Sequence, residues 1–233
     1  MKIVSISDLH GNLTGLDMSS YDVCVIAGDF SCHFGFSKWA MKNQRDWIYD
    51  EFNAWIQSFP ETIFVVVAGN HDLCLDPSKT YQYPEINWNI EWPKNCRYLH
   101  DSNTEISGIK FYGTPYIPII NYIWAFESNN QVLKQKFNNI PENIDILITH
   151  TPPRIPEYLG DISLEYGLNS EKFGSHELAE AIFNKQPKYV FCGHIHSGSH
   201  EPFYFNNTII QNVSRVNESY NIAYEPAIIT IKM

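Results

Sequence analysis

Residues 62–72 read Thr-Ile-Phe-Val-Val-Val-Ala-Gly-Asn-His-Asp, and the logic of this stretch is repeated along the chain. Thr62–Ala68 is apolar and β-branched almost throughout, which predicts a strand. It stops at Gly69, and three polar side chains, Asn70, His71 and Asp72, follow at once. Four other runs end the same way. Lys2–Ser7 stops at Asp8-Leu9-His10, Asp22–Ala27 at Gly28-Asp29, Ile144–Thr149 at His150, and Lys188–Cys192 at Gly193-His194-Ile195-His196. In open α/β sheets the carboxyl ends of strands form the crevice where ligands bind, because loops gather side chains there.

Helical patterns separate the strands. Over Gln44–Phe59, Ile48, Phe52, Trp55, Ile56 and Phe59 recur at three- and four-residue spacing, the signature of one buried helix face. Asn130–Asn138 and Ser175–Lys185 are shorter helical segments, the second with Ser175 as N-cap. Later segments read as hairpins: Thr104–Tyr112 turning at Ser107-Gly108, and Phe203–Gln211 turning at Asn206-Asn207. Ala227–Ile231 adds a last strand. Leu73–Asn95 and Thr151–Gly174 read as long loops, a length usually associated with function. No repeat or linker divides residues 1–233, so the expectation is a single layered α/β domain with two sheets flanked by helices.

Composition narrows the function. The chain has 233 residues, 44% hydrophobic and 15% aromatic, enough for a large core and too apolar for disorder. Sixteen basic against 26 acidic residues leave a net charge of −10 with histidine neutral, which disfavours long nucleic acids and anionic membranes. A small phosphorylated substrate stays open, since bound metal ions reverse the local sign of charge. Five scattered cysteines (Cys24, Cys32, Cys74, Cys96, Cys192) read as reduced thiols. Apolar character at the start ends at Asp8, too early for a signal peptide, and the expected location is cytoplasmic.

Collected, the strand-end residues are Asp8, His10, Asp29, Asn70, His150, His194 and His196. Two carboxylates, an amide oxygen and four imidazoles, with no thiolate, suit Mn, Fe or Zn better than Ca or Mg. The set is too large for one open tetrahedral site and fits two ions sharing a carboxylate. Two such ions ~3.5–4 Å apart clamp both oxygens of an in-line phosphoryl displacement and acidify a bridging water to hydroxide near neutral pH.

Asp8-x-His10, Gly28-Asp29, Gly69-Asn70-His71-Asp72, His150 and Gly193-His194-x-His196 resemble the five blocks of the calcineurin-like metallophosphoesterases. That resemblance implies a two-sheet sandwich flanked by helices. It also implies one metal held by Asp8, His10, Asp29 and His196, and a second held by Asp29, Asn70, His150 and His194, with Asp29 bridging. His71, held by Asp72, is implied to protonate the leaving oxygen. Gly28-Asp29-Phe30, Asn70–Leu73, Ile109–Pro115, Ile146–Pro153 and Gly174–Leu178 are similar to the subfamily of the vertebrate metallophosphoesterase-domain brain proteins. This implies phosphodiester hydrolysis, with nucleotides such as cyclic nucleotides at the metals. Some members of that group lack the first histidine of the last block; this chain keeps His194.

Substrate contacts are expected from Asn70 and His71, with His33 and Arg154 as further candidates weighed against plain loop and surface roles. Tyr116, Trp124 and Phe126 offer either a wall for a base or ordinary packing, and Trp88 and Trp92 are weighed the same way. The rival functions are a nucleotide-binding sensor with little turnover, a nuclease and a protein phosphatase on the same scaffold.

Overall fold

Two sheets form from the apolar runs, each strand slightly shorter than the run that predicts it. The computed structural model describes residues 1–155 and 173–232. Strands β1 (Lys2–Ile6), β2 (Val23–Ala27), β3 (Ile63–Val67) and β4 (Cys96–Tyr98) pair in parallel in that order. The chain then enters a second sheet through the hairpin β5 (Ser102–Ile106) and β6 (Ile109–Thr114). Its turn is Ser107-Gly108, both at positive φ. A minor pair, β7 (Ile117–Pro118) and β8 (Glu127–Ser128), stands apart. The second sheet continues with β9 (Ile146–Thr149), β10 (Tyr189–Cys192) and the hairpin β11 (Phe203–Phe205) to β12 (Thr208–Asn212). Finally β13 (Ala227–Thr230) returns to pair antiparallel with β1. The orders are β13-β1-β2-β3-β4 and β11-β12-β10-β9-β6-β5; the first sheet is parallel except for its β13 edge, and the second has a parallel centre with antiparallel strands at both edges.

Alternation along the central strands explains the layers. On β2, Val23, Val25 and Ala27 face the second sheet and meet Phe111, Ile146, Ile148 and Phe191 in the core between the sheets. Cys24 and Ile26 face the other way, onto Trp47, Ile48, Phe52 and Ile56. The outer face of the second sheet, with Tyr112, Leu147 and Val190, packs on Leu133, Phe137, Leu178 and Ile182. The result is the αββα sandwich that the sequence predicts.

The helices depart from expectation in four places. Helix α1 (Lys38–Trp47) starts ahead of Gln44, because the Ser37 side chain accepts from the Ala40 N–H at 3.1 Å and caps it. It passes through one π-helical turn, Ile48–Phe52, into α2 (Asn53–Gln57), which stops short of Phe59. Leu73–Asn95 is not structureless: a 3₁₀ turn, Leu73–Leu75, leads into α3 (Pro77–Thr80), whose N-cap Asp76 accepts from the Ser78 N–H at 2.8 Å. Trp88 and Trp92 pack on the helix-side core. Helix α4 (Asn130–Asn138) matches its predicted bounds, and α5 (His176–Lys185) begins after the Ser175 cap. Most of the predicted loop Thr151–Gly174 lies outside the described residues. Among the described residues no disulfide forms, and no helix is long and apolar enough to cross a membrane.

Candidate metal centre

Strand-end loops from both sheets meet at one point. The Asp8 and His10 N–H groups donate to the Gly28 and Asp29 carbonyls at 3.0 and 2.9 Å, which locks the loop after β1 to the loop after β2. The Gly193 N–H donates to the His150 carbonyl at 3.0 Å, which does the same for β10 and β9. Asp8, His10, Asp29 and His194 all sit at positive φ, between 45° and 70°. Left-handed backbone at non-glycine residues costs about 1–3 kcal/mol each and concentrates at functional sites. Here it turns each side chain inward from its strand.

Two glycines are dictated by close approach. A Cβ on Gly69 would lie 2.2 Å from Asp29 Oδ1, and one on Gly193 would lie 2.1 Å from Ser7 Oγ and 2.3 Å from Asp8 Oδ2. Neither carboxylate could keep its position beside a larger residue.

The predicted ligands converge. Donor atoms of Asp8, His10 and His196 lie within 4.8 Å of one another, and so do those of Asp29, His150 and His194. Asn70 Oδ1 is 3.0 Å from His150 Nε2, and Asp29 Oδ2 is 3.1 Å from the same nitrogen. A third group, His10, Asp29 and His71, meets the same distance limit and joins the other two. His150 Nδ1 lies 2.9 Å from the Ala27 carbonyl. A carbonyl only accepts, so Nδ1 carries the proton and Nε2 is the nitrogen aimed at the cluster.

The electrostatics suit cations. Burial opposes ionisation of Asp29, but the surrounding imidazoles, His150 foremost, hold its carboxyl well below the usual range. For Asp8, burial is likewise outweighed, chiefly by the hydrogen bond from His196, and its carboxyl is also lowered. Burial would lower His150, yet the Asp29 charge raises it to about 9. His10 is pushed down to about 4 and His194 to about 3, both by burial first, so these rings are neutral and ready to ligate. His10 Nε2 is buried with no hydrogen-bond partner. An orphaned imidazole nitrogen beside two ionised carboxylates fits a divalent ion.

Asp72 corrects one expectation. Its carboxylate does not hold the His71 ring: Oδ1 accepts from the Ser31 N–H at 3.0 Å and from the Ser31 hydroxyl, and Oδ2 from the Gly69 N–H at 2.7 Å. It fastens the loop backbone instead. Burial and the nearby Asp29 charge push it up to about 7. The His71 backbone N–H donates to Asp29 Oδ1 at 2.7 Å, its Nε2 lies 3.9 Å from Asp29 Oδ2, and its Nδ1 has no hydrogen-bond partner. Buried Gln44 also braces this loop, donating to the His71 carbonyl at 2.7 Å and accepting from the Cys74 N–H at 2.9 Å.

Among the outlying candidates, His33 is exposed with its ring 5.3 Å from His71. Arg154 lines an adjoining cavity of 420 Å³ that shares His194. Of the three aromatics, Trp124 alone reaches the metal cleft, while Tyr116 and Phe126 turn to His100. Tyr220, Glu218 and Glu127 escaped the sequence reading; none stands in a motif, and no strand pattern marks them.

This fold and cluster define a class, and the chain belongs to it: residues 1–198 match the calcineurin-like phosphoesterase family. Within the family, it is 33% identical over 84% of its length to human and mouse metallophosphoesterase domain-containing protein 1. It spans 61% of the length of those relatives. UPF0046 protein C25E10.12 of Caenorhabditis elegans is 30% identical, over 100% of this chain and 82% of that protein. A solved structure at 17% identity superposes with a TM-score of 0.62, over 91% of this chain and 89% of that one, a likeness of fold.

Proposed function

We propose that this chain is a cytoplasmic, metal-dependent phosphoesterase that hydrolyses small phosphodiesters, cyclic nucleotides among them. The observation that carries the reading is Asp29. Its carboxylate lies between the Asp8, His10 and His196 group and the His150, His194 and Asn70 group, where one residue can serve two ions. Two ions held there, of Mn, Fe or Zn, supply Lewis acidity toward the phosphoryl oxygens and activate water. His71 stands at the edge of the cluster, with a partly exposed side chain and an unbonded Nδ1, suited to pass a proton to the leaving oxygen. Asp72 and Gln44 fix the loop that presents it. The cleft beside them is a cavity of 290 Å³, a size for a small ester. The diester preference rests on the motif resemblance to the brain-protein subfamily alone.

The test compares bis-p-nitrophenyl phosphate with p-nitrophenyl phosphate on metal-stripped protein, with and without Mn²⁺. Faster, Mn²⁺-restored cleavage of the diester is expected. Preference for the monoester would reverse the diester assignment. Two bound metals with no turnover would replace the enzyme by a nucleotide-binding sensor.

A further inference from the structure

The 3₁₀ turn Leu73–Leu75 follows His71 and Asp72, and its Cys74 and Leu75 form one wall of a second cavity, of 480 Å³ against 290 Å³ for the metal cleft. The two cavities share no lining residue among those described. Trp88, Trp92 and Tyr98 bring three aromatic side chains to the walls of the larger one. The rings of Trp92 and Tyr98 stack with centroids 4.9 Å apart and planes within 16°. Metal binding and ester cleavage use none of these rings.

Both walls are held by their own hydrogen bonds. In the segment that carries the two tryptophans, the Trp88 indole N–H donates to the Tyr83 carbonyl at 3.0 Å, and the buried Asn53 amide of α2 donates to the Glu91 carbonyl at 3.0 Å. On the wall after His71, the Cys74 N–H donates to Gln44 Oε1 at 2.9 Å, and the Asp76 carboxylate accepts from the Phe126 N–H at 2.7 Å. These bonds fix the walls without filling the space between them. The cavity is therefore formed before anything enters it, as small-molecule sites usually are.

Its chemistry selects the occupant. The described lining residues include no carboxylate, lysine, arginine or histidine. Burial pushes the Cys74 thiol and the Tyr98 phenol well above their usual ranges, so both stay neutral. Arg45 reaches the Asn89 carbonyl at 3.5 Å, but it is paired with Asp46 at 2.9 Å and does not line the space. A charged ligand would shed its hydration here with no counter-charge to meet. Polar groups on the walls are few. The Thr80 hydroxyl already serves the Asp76 carbonyl at 3.1 Å, the Asn89 amide can donate, and the Tyr98 hydroxyl is buried with no hydrogen-bond partner. Aromatic rings favour flat partners that meet their faces and edges. We propose that this cavity is a second ligand site, separate from the metal centre, for a small neutral planar aromatic molecule with a carbonyl acceptor. It goes beyond the phosphoesterase reading, and none of its contacts depends on a metal.

The test is calorimetric titration of the Mn²⁺-loaded and the chelator-treated protein with coumarin, a neutral planar lactone. One molecule should bind per chain in both states, with a dissociation constant below about 1 mM. Inorganic phosphate should not displace it from the loaded protein. Coumarin-3-carboxylate, the same plane with a negative charge, should bind about tenfold more weakly or worse. Trp88→Ala removes one ring and should weaken binding by about threefold to tenfold. Leu75→Trp and Asn89→Trp add bulk from different walls, so that if one fails to fold the other still reports, and each should abolish binding. No binding to the wild-type protein, displacement by phosphate, equal affinity for the carboxylate, or binding that survives in the folded bulky variants would overturn the site. Loss of the phosphoesterase reading would leave these titrations unchanged, so the two fail separately.

Discussion

Oδ2 of Asp29 lies 3.1 Å from Nε2 of His150, and this contact joins the end of β2 in one sheet to the end of β9 in the other. The two sheets share a core of Val25, Ala27, Ile146 and Ile148 directly behind it, so the pair is fixed by packing as well as by charge. Asp29→Asn keeps the shape and removes the charge. The expected outcome is loss of both metals, from two per chain to under one by inductively coupled plasma mass spectrometry. Two retained ions would show that Asp29 does not bridge.

His71 is separable from metal binding if it acts as a general acid. Its Nδ1 is unbonded and its Nε2 is 3.9 Å from Asp29 Oδ2, against 3.1 Å for His150 Nε2. His71→Ala should lower kcat by ~10²–10⁴-fold on esters with poor leaving groups, with a smaller loss on nitrophenyl esters that need no proton. Metal content should stay at the wild-type level. An equal loss on both ester classes would remove the acid role.

Gly193 tests how closely the sheets must approach. A Cβ there would press on Ser7 Oγ and Asp8 Oδ2, both rigidly placed. Gly193→Ala should still fold, with stability lowered by about 1–3 kcal/mol as in other overpacked sites. Metal affinity should drop, because Asp8 must move. Wild-type affinity and melting temperature together would show that the loop absorbs the methyl group.

The strand ends were legible because burial on both faces leaves polar residues nowhere to go until the strand stops. Asp8, Asp29, Asn70, His150 and His194 stand out against such runs. Helix phase was less legible: the π-helical turn at Ile48–Phe52 keeps Ile48, Phe52 and Ile56 buried, so the apolar spacing looks like one continuous helix. The pairing of Asp72 with His71 came from the family resemblance, whereas the turn sends the Asp72 carboxylate to Ser31, far off in sequence. Glu127 and Tyr220 left no trace, since loop geometry rather than periodicity places them. Gln44 enters the sequence reading only as the first residue of the predicted helix, and only the tertiary fold shows it buried under the His71 loop.

Metal removal should expose a pH dependence whose sign follows from the buried groups. In the metal-free protein His150 is raised to about 9 by Asp29, against burial. Its stabilisation is therefore complete below the unfolded value of about 6.5 and is lost as pH rises through 9. His196 is also raised, through Asp8, and adds to the alkaline loss. His10 and His194 are lowered to about 4 and about 3. Their contribution is present above pH about 6.5 and is lost as pH falls, because the unfolded chain takes up protons that the folded rings refuse. The depressed Asp8 and Asp29 carboxyls extend the acid loss below about pH 4. Asp72, raised to about 7, works against the two lowered histidines between about pH 4 and 7 but cancels only one of them. The melting temperature of chelator-treated protein should thus peak near pH 6.5 and fall on both sides. Adding Mn²⁺ at pH 8 should release the His150 proton, measurable as buffer-dependent heat in calorimetry, and flatten the alkaline arm. A metal-free melting curve that stays level from pH 5 to 9 would contradict the Asp29–His150 ion pair.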